Sequence, residues 1–361
     1  MNIYAWLVAL VLITAFLLRG NREGNKVYVI VACLLLFAVF GLRNTYYIGG
    51  DSTSSYLHSW QQLASTSWGD VMNWGPFNEG FYLTEKLFFD LFNGDYQLFI
   101  SILSAFVTIC FGHVIYKYSP NPVQSILYHF GLLLFVFHFS ALKQSSAMAI
   151  LMLAFDSVIE RKPFRFMLTV LIASQFHFPA MVFLAAYPLS LMKPDRSFLL
   201  LLLLTLGLTY LLREQILTLM LRFYDDNEIS TTITDGVQFL RTKSLIMLVI
   251  VVVAVLLRKP RAEDRTYCTL LEFMGVAVIF QTFCGYNNIF ERLADYYFQF
   301  SIIFIPMVFD KNADREPLFG WRLMGVIDAF APFIFCGYGI YRFLSYVSDN
   351  KFYTPYRFFF Q

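Results

Sequence analysis

Charge is scarce in this chain of 361 residues: only 14% are Asp, Glu, Lys or Arg, against 58% hydrophobic. Too few charged groups remain to cover a soluble domain of this length, and a mean hydropathy of +0.59 with 41 phenylalanines exceeds an ordinary soluble core. Cysteine is sparse as well. Its five residues are isolated from one another, with Cys33, Cys110 and Cys336 inside apolar runs, so neither a disulfide framework nor a zinc site is indicated. There is no basic tail and no aromatic-basic interleaving, which argues against a nucleic-acid partner. The opening stretch MNIYAWLVALVLITAFLLRG lacks a cationic start and a small-residue cleavage site, and reads as a retained helix rather than a signal peptide.

What is present is a succession of apolar runs recurring about every 20 to 30 residues from end to end. They leave no span for a soluble domain, so residues 1–361 read as a single polytopic membrane domain. The runs are continuous and leucine-rich, unlike the short alternating strands of a β-barrel. Expected spans are roughly 3–19, 27–42, 96–116, 123–139, 142–158, 164–176, 179–192, 197–212, 244–258, 266–284, 294–309 and 320–345. Several fall short of the ~20 residues of a perpendicular helix and are expected to abut breaks buried in the protein. The fold class is therefore all-α and polytopic, with about twelve (ten to twelve) transmembrane helices, some short or broken, GT-C-like in kind.

Charge bias orients the helices. If the run from Phe164 to Met192 breaks at His177-Phe178-Pro179, the net-positive loops 19–26, 159–165, 193–196 and 258–265 share one face, as cytoplasmic loops do. An unbroken run scatters them. The opposite, external face then receives segment 43–95, with two basic and six acidic residues, and segment 213–243, also net negative. The first carries aromatics throughout, and its LTEKLFFDLF suits an amphipathic helix at the membrane interface. The second is an acidic, turn-prone external loop.

Polar groups gather at the outer ends of the spans. The run HFSALKQSSAMAI places Lys143 and Gln144 among small residues suited to close helix packing. Arg43 ends the second span, Asp51 follows a glycine pair, and Glu79 sits among aromatics. His177 marks the break, Arg213 ends the eighth span, and Arg292 and Asp295 begin the eleventh. Ionisable groups at the edges of spans are costly unless paired, hydrated or used, and an outer cavity lined by cations accounts for them together. Snorkelling to headgroups is the plain alternative for Arg43 and Arg213. A local ion pair is the plain alternative for Arg292 with Asp295. The set suits an anion that arrives from the membrane, such as a pyrophosphate on a polyisoprenoid. An acid or histidine stands by for proton transfer.

The order FGLRN, GGD, NEGF, LKQSSAMA, QFHFPA and NIFERLADYYF resembles the EpsG-like branch of the Wzy-type bacterial polysaccharide polymerases over about residues 40 to 300. The resemblance implies a multi-pass glycosyltransferase of the bacterial inner membrane, with its active site facing the periplasm or exterior. It would join oligosaccharide repeats carried on undecaprenyl pyrophosphate into O-antigen, capsule or exopolysaccharide, inverting the donor anomer without metal or cofactor. Arg43, Lys143, Gln144, Arg213 and Arg292 would bind pyrophosphate, and Glu79, Asp51 or His177 would orient or deprotonate the acceptor hydroxyl. Membrane lipid, a chain-length regulator or a flippase would be partners. The family usually carries arginine where this chain has Lys143, which keeps the charge and loses the planar fork. A glycan ligase on the same carrier, or a flippase or transporter of lipid-linked glycan, is the alternative. Apart from Asp156 the inner halves of the spans look apolar, which favours chemistry at one face.

Overall fold

The structure is a computed structural model describing residues 2–18, 20, 22–74, 78–192, 194, 197–216, 218, 242–257, 264–284, 289–310 and 321–361. Among these residues the chain is helical throughout, and an isolated antiparallel bridge joins Arg43 to Phe358. In chain order, α1 (Ile3–Leu18) and α2 (Arg22–Gly41) precede three short helices, α3 (Ser55–Gln62), α4 (Trp68–Val71) and α5 (Glu79–Leu91). There follow α6 (Tyr96–Tyr118), α7 (Pro122–Gly131), α8 (Leu134–Ser140), α9 (Leu142–Ile159) and α10 (Pro163–Phe176). A 3-10 helix, Phe178–Ala185, leads into α11 (Ala186–Leu189). The rest comprises α12 (Ser197–Leu211), α13 (Thr242–Leu257), α14 (Arg265–Gln281), α15 (Ile289–Phe298), α16 (Ser301–Val308) and α17 (Trp321–Asp349).

Among the described residues four helical stretches are long and apolar enough to cross a membrane: α2, α6, α9 and Gly325–Asp349 of α17. The pair α7 and α8 makes a fifth if counted as one span bent by 55°. The other apolar helices reach at most 17 residues, roughly 25 Å, less than the ~30 Å hydrocarbon thickness. The described helices thus include four or five full-length spans and several short apolar helices, which do not by themselves establish the expected count of about twelve. The bend between α7 and α8, absent from the expected straight span 123–139, occurs at Leu133, whose φ of 62° is left-handed and costly for a branched side chain.

The break at His177 is where the sequence places it. Phe166 near the start of α10 packs against Phe183 and Tyr187, so the chain reverses and runs back along α10. Arg161, before α10, donates to the hydroxyl and carbonyl of Ser190 beyond α11 and closes the far end of this hairpin.

Helix α9 is central because its side chains are small. Ser145, Ser146, Ala147 and Ala149 are buried, and the Ser146 hydroxyl returns its proton to the Leu142 carbonyl, leaving no polar group to solvate. Segment 43–95 folds over one end of the bundle around its own core of Trp60, Leu63, Val71, Phe81, Tyr96 and Phe99, with Trp60 stacked on Phe99. The expected loop 213–243 lies outside the described residues apart from 213–216, 218, 242 and 243.

The C-terminal tail returns to the end of the bundle occupied by segment 43–95. The Asn44 amide donates to the Arg357 carbonyl and the Phe359 amide to the Leu42 carbonyl. Tyr356 and Tyr353 donate to the carbonyls of Val39 and Val136. Helices α7 and α17 meet backbone to backbone: a Cβ on Gly131 would lie 2.6 Å from the Gly339 Cα. Gly131→Leu is expected to destabilise the protein by at least ~2 kcal/mol, because backbone rather than a flexible side chain must yield. The check is thermal unfolding in detergent, where Gly207→Ala, with nothing within 4 Å of its added Cβ, should unfold with the wild type.

Candidate functional site

Arg43 lies directly after α2, where the chain leaves the bundle. It is 0% exposed. Its Nε donates to the Ile48 carbonyl at 3.0 Å, and Nη2 donates to the Phe139 carbonyl at 3.2 Å and the Ser52 hydroxyl at 3.3 Å. Nη1 donates to the Phe40 carbonyl. The rings of Phe40 and Phe139 lie 4.9 and 4.8 Å from the guanidinium carbon. Four of its five donors are thus committed to loop 43–53, the end of α2 and the end of α8. This arginine ties a loop rather than presenting its fork to a cavity.

That loop turns on Gly49 and Gly50, whose φ values of 138° and 58° require glycine. The turn brings the Asp51 amide to the Ser140 hydroxyl at 3.1 Å, beside the start of α9, and leaves the Asp51 side chain exposed. Tyr96 fastens the other limb by donating to the Ser52 carbonyl at 2.6 Å.

Lys143 occupies the first turn of α9, inside a cage of aromatic rings from segment 43–95. Its Nζ donates to the Tyr82 hydroxyl at 2.6 Å and lies 4.0 Å from that ring, with Phe81 at 5.7 Å and Tyr56 at 5.8 Å. Such faces attract a cation without neutralising it, which leaves its charge available to an anion. The next residue, Gln144, donates through Nε2 to the Arg292 carbonyl at 2.9 Å, locking α9 to α15. The Arg292 side chain is exposed at this junction.

His177 completes the group from the hairpin turn. Its Nδ1 lies within hydrogen-bond distance of the Tyr296 hydroxyl on α15. Burial, then Arg292, then Lys143 push its imidazole down to about 3, so it stays neutral and keeps one lone pair. Glu79 opens α5 against the same turn. The residues on either side of it locate the turn: the Phe178 amide donates to the Asn78 side chain at 3.1 Å, and a Cβ on Gly80 would lie 2.6 Å from the Gln175 Cβ. The segments carrying Glu79 and His177 therefore abut. Sequence elements far apart in the chain thus place Lys143, Gln144, His177, Arg292 and Glu79 around one junction of α5, α9, the hairpin turn and α15.

Other charges go elsewhere. Arg213 donates to the Tyr210 carbonyl at 2.9 Å and lies 3.7 Å from Glu214, so its contacts are local and do not join it to the junction. Asp295 pairs with Lys243 rather than with Arg292, and Lys243 also holds Glu291 at 3.1 Å. This triad, in which Asp295 is buried and Glu291 reaches the surface, fixes the start of α13 on α15. Asp156 meets Tyr118 at 2.6 Å, Lys117 at 3.0 Å and His113 at 3.2 Å, not Arg161 or Arg165. The residues that sequence reasoning missed are Tyr56, Tyr82 and Tyr296, whose hydroxyls touch Lys143 or His177. Tyr82 follows Glu79 by three positions on α5, the one signal that could have marked it. Among the described residues no group of three or more His, Cys, Asp or Glu is gathered as metal ligands would be.

A family model described as the EpsG family matches residues 26–358. No curated protein and no solved structure matches the chain.

The two cations should fail differently when removed. Arg43→Ala strands three buried carbonyls and a cavity, and is expected to cost about 3–5 kcal/mol, seen as loss of monodisperse protein on size-exclusion in mild detergent. Lys143→Ala leaves no carboxylate stranded within ion-pair distance among the described residues, and should elute as the wild type.

Proposed function

Because the chain belongs to the EpsG family, a family of Wzy-like polymerases, we propose that it polymerises oligosaccharide repeat units carried on undecaprenyl pyrophosphate, working at the outer face of the bacterial inner membrane. The family points to a polysaccharide polymerase-type function, and the apolar helices to a membrane protein. The observation that carries the finer reading is the junction at one end of the bundle, where Lys143 and Arg292 stand beside a neutral His177 and the Glu79 turn. A lipid tail would lie along the helices while its anionic head meets these cations.

In the reaction, an acceptor hydroxyl on one lipid-linked unit attacks the anomeric carbon of the sugar on another. The bond from that carbon to the phosphate oxygen breaks, and undecaprenyl pyrophosphate leaves with the electron pair. Attack from the opposite side inverts the anomer. Lys143 and Arg292 stabilise the charge gathering on the leaving group, a contribution that grows as the bond breaks. The hydroxyl proton passes to Glu79 at the abutting turn or to the exposed Asp51 beside the start of α9, while the neutral His177 orients the hydroxyl. Gln144 holds Arg292 on α9, and Arg43 acts by fixing the loop that carries Asp51. Arg213, whose contacts are local, is not counted among these cations.

Lys143→Ala and Arg292→Ala, at protein levels equal to wild type, are each expected to lower polymer formation by a factor of about 10² or more. Electrophoresis of lipid-linked glycan should show single repeats accumulating where the wild type makes ladders. Long glycan persisting on the carrier in these variants would instead indicate a ligase, and unchanged patterns would remove the carrier chemistry from this site.

A further inference from the structure

Glu85 lies on the buried face of α5, four residues after Phe81 and three after Tyr82, two rings of the Lys143 cage. It is 0% exposed, and neither carboxylate oxygen has a hydrogen-bond partner. A packed core rarely keeps such a group, because an ionised carboxylate without donors costs several kcal/mol. The neighbouring cation on its own helix is already spent: Lys86 bonds Asp90 at 2.9 Å and the Leu63 carbonyl at 3.2 Å. The groups that face Glu85 from other elements are Lys143 on α9, Tyr56 on α3 and Tyr96 on α6. Lys143 is thus the cation whose field Glu85 feels, while its ammonium stays in the ring cage without a carboxylate at ion-pair distance among the described residues.

We propose that Glu85 is a positioning residue for Lys143: as a neutral acid it leaves the ammonium's charge undivided for the anionic head of the substrate, and as a carboxylate it draws that charge back into the protein. The consequence for substrate rests on the polymerase reading; the coupling of the two side chains does not. Burial pushes the Glu85 carboxyl up to about 8, against the opposing pull of Lys143. At neutral pH the acid is therefore mostly protonated and Lys143 is free to act. Above about 8 it ionises, and the head group competes with a carboxylate for the same cation. A bound pyrophosphate disfavours the carboxylate in turn, so substrate binding near pH 8 takes up a proton. The sign for stability follows: the folded chain holds this proton more tightly than the unfolded chain. Stability is therefore lost as pH climbs from the ordinary carboxyl range towards 8, and Glu85→Gln removes that loss.

The test is the rate at which an amine-reactive acylating reagent labels Lys143 between pH 6 and 10, read by mass spectrometry on the full chain in detergent. In the wild type the labelling curve should break near pH 8, where the new carboxylate begins to engage the Lys143 side chain. Glu85→Gln should lose the break and label about tenfold faster at pH 9. In parallel, kcat/KM for lipid-linked repeats should fall above pH 8 in the wild type, chiefly through KM, and this limb should vanish in Glu85→Gln. A folded Glu85→Gln protein whose Lys143 labelling matches the wild type overturns the proposal. Should that variant not accumulate, the wild-type curve decides alone: a smooth rise without a break near 8 overturns it as well. Labelling as expected from a chain that makes no polymer would sustain the coupling and sink the polymerase reading.

Discussion

A guanidinium with no access to water organises one end of this protein. Leaving Arg43 unpaired among apolar helices would cost more than the stability of most folds, so its surroundings must answer nearly every donor. They do so with backbone carbonyls from α2, from the following loop and from α8, and with two phenylalanine faces. Once those pieces are tied, Ser52 is placed for Tyr96, Gly49 and Gly50 can turn towards Ser140, and the C-terminal tail can bridge beside Arg43. Segment 43–95 then has a fixed anchor from which to fold its own aromatic core over the start of α9. The ring cage that receives Lys143 is built on that anchor.

Two kinds of cation follow from this arrangement. Arg43 is surrounded by acceptors and contributes rigidity; Lys143 is surrounded by π-faces and keeps its charge. The distinction matters for any anionic substrate, since only an uncommitted charge gains energy when a phosphate arrives. Gln144 and the Lys243 triad hold α15 so that Arg292 stands near Lys143, while the neutral His177 avoids adding a third like charge. A lysine lacks the bidentate geometry of an arginine, and Glu85 supplies a local means of modulating its charge.

Much of this was legible in the chain itself. Helical membrane character followed from hydropathy, and the reversal at His177 from Pro179 together with the distribution of basic loops. Lys143, Gln144, His177 and Arg292 stood out as polar groups in apolar runs, and they do meet. Arg43 stood out equally, yet its role was hidden, because its acceptors are mainly carbonyls, which every residue carries. Asp295 was read as a local pair with Arg292, whereas its partner Lys243 comes from another helix, where sequence spacing says nothing. Glu85 was lost in an amphipathic pattern that assigns acids to the wet face. The number of spans was not legible, because several apolar runs are too short to cross alone and hydropathy does not reveal how short helices are arranged.

The central claim is that a glycosidic bond forms at this junction as a polyprenyl pyrophosphate departs. The most direct measurement places the purified chain in lipid nanodiscs with undecaprenyl-pyrophosphate-linked repeat units alone, following both glycan length and free undecaprenyl pyrophosphate over time. The account predicts that each added repeat releases one carrier molecule. Glycan that never lengthens, or that lengthens without release of the carrier, would contradict it.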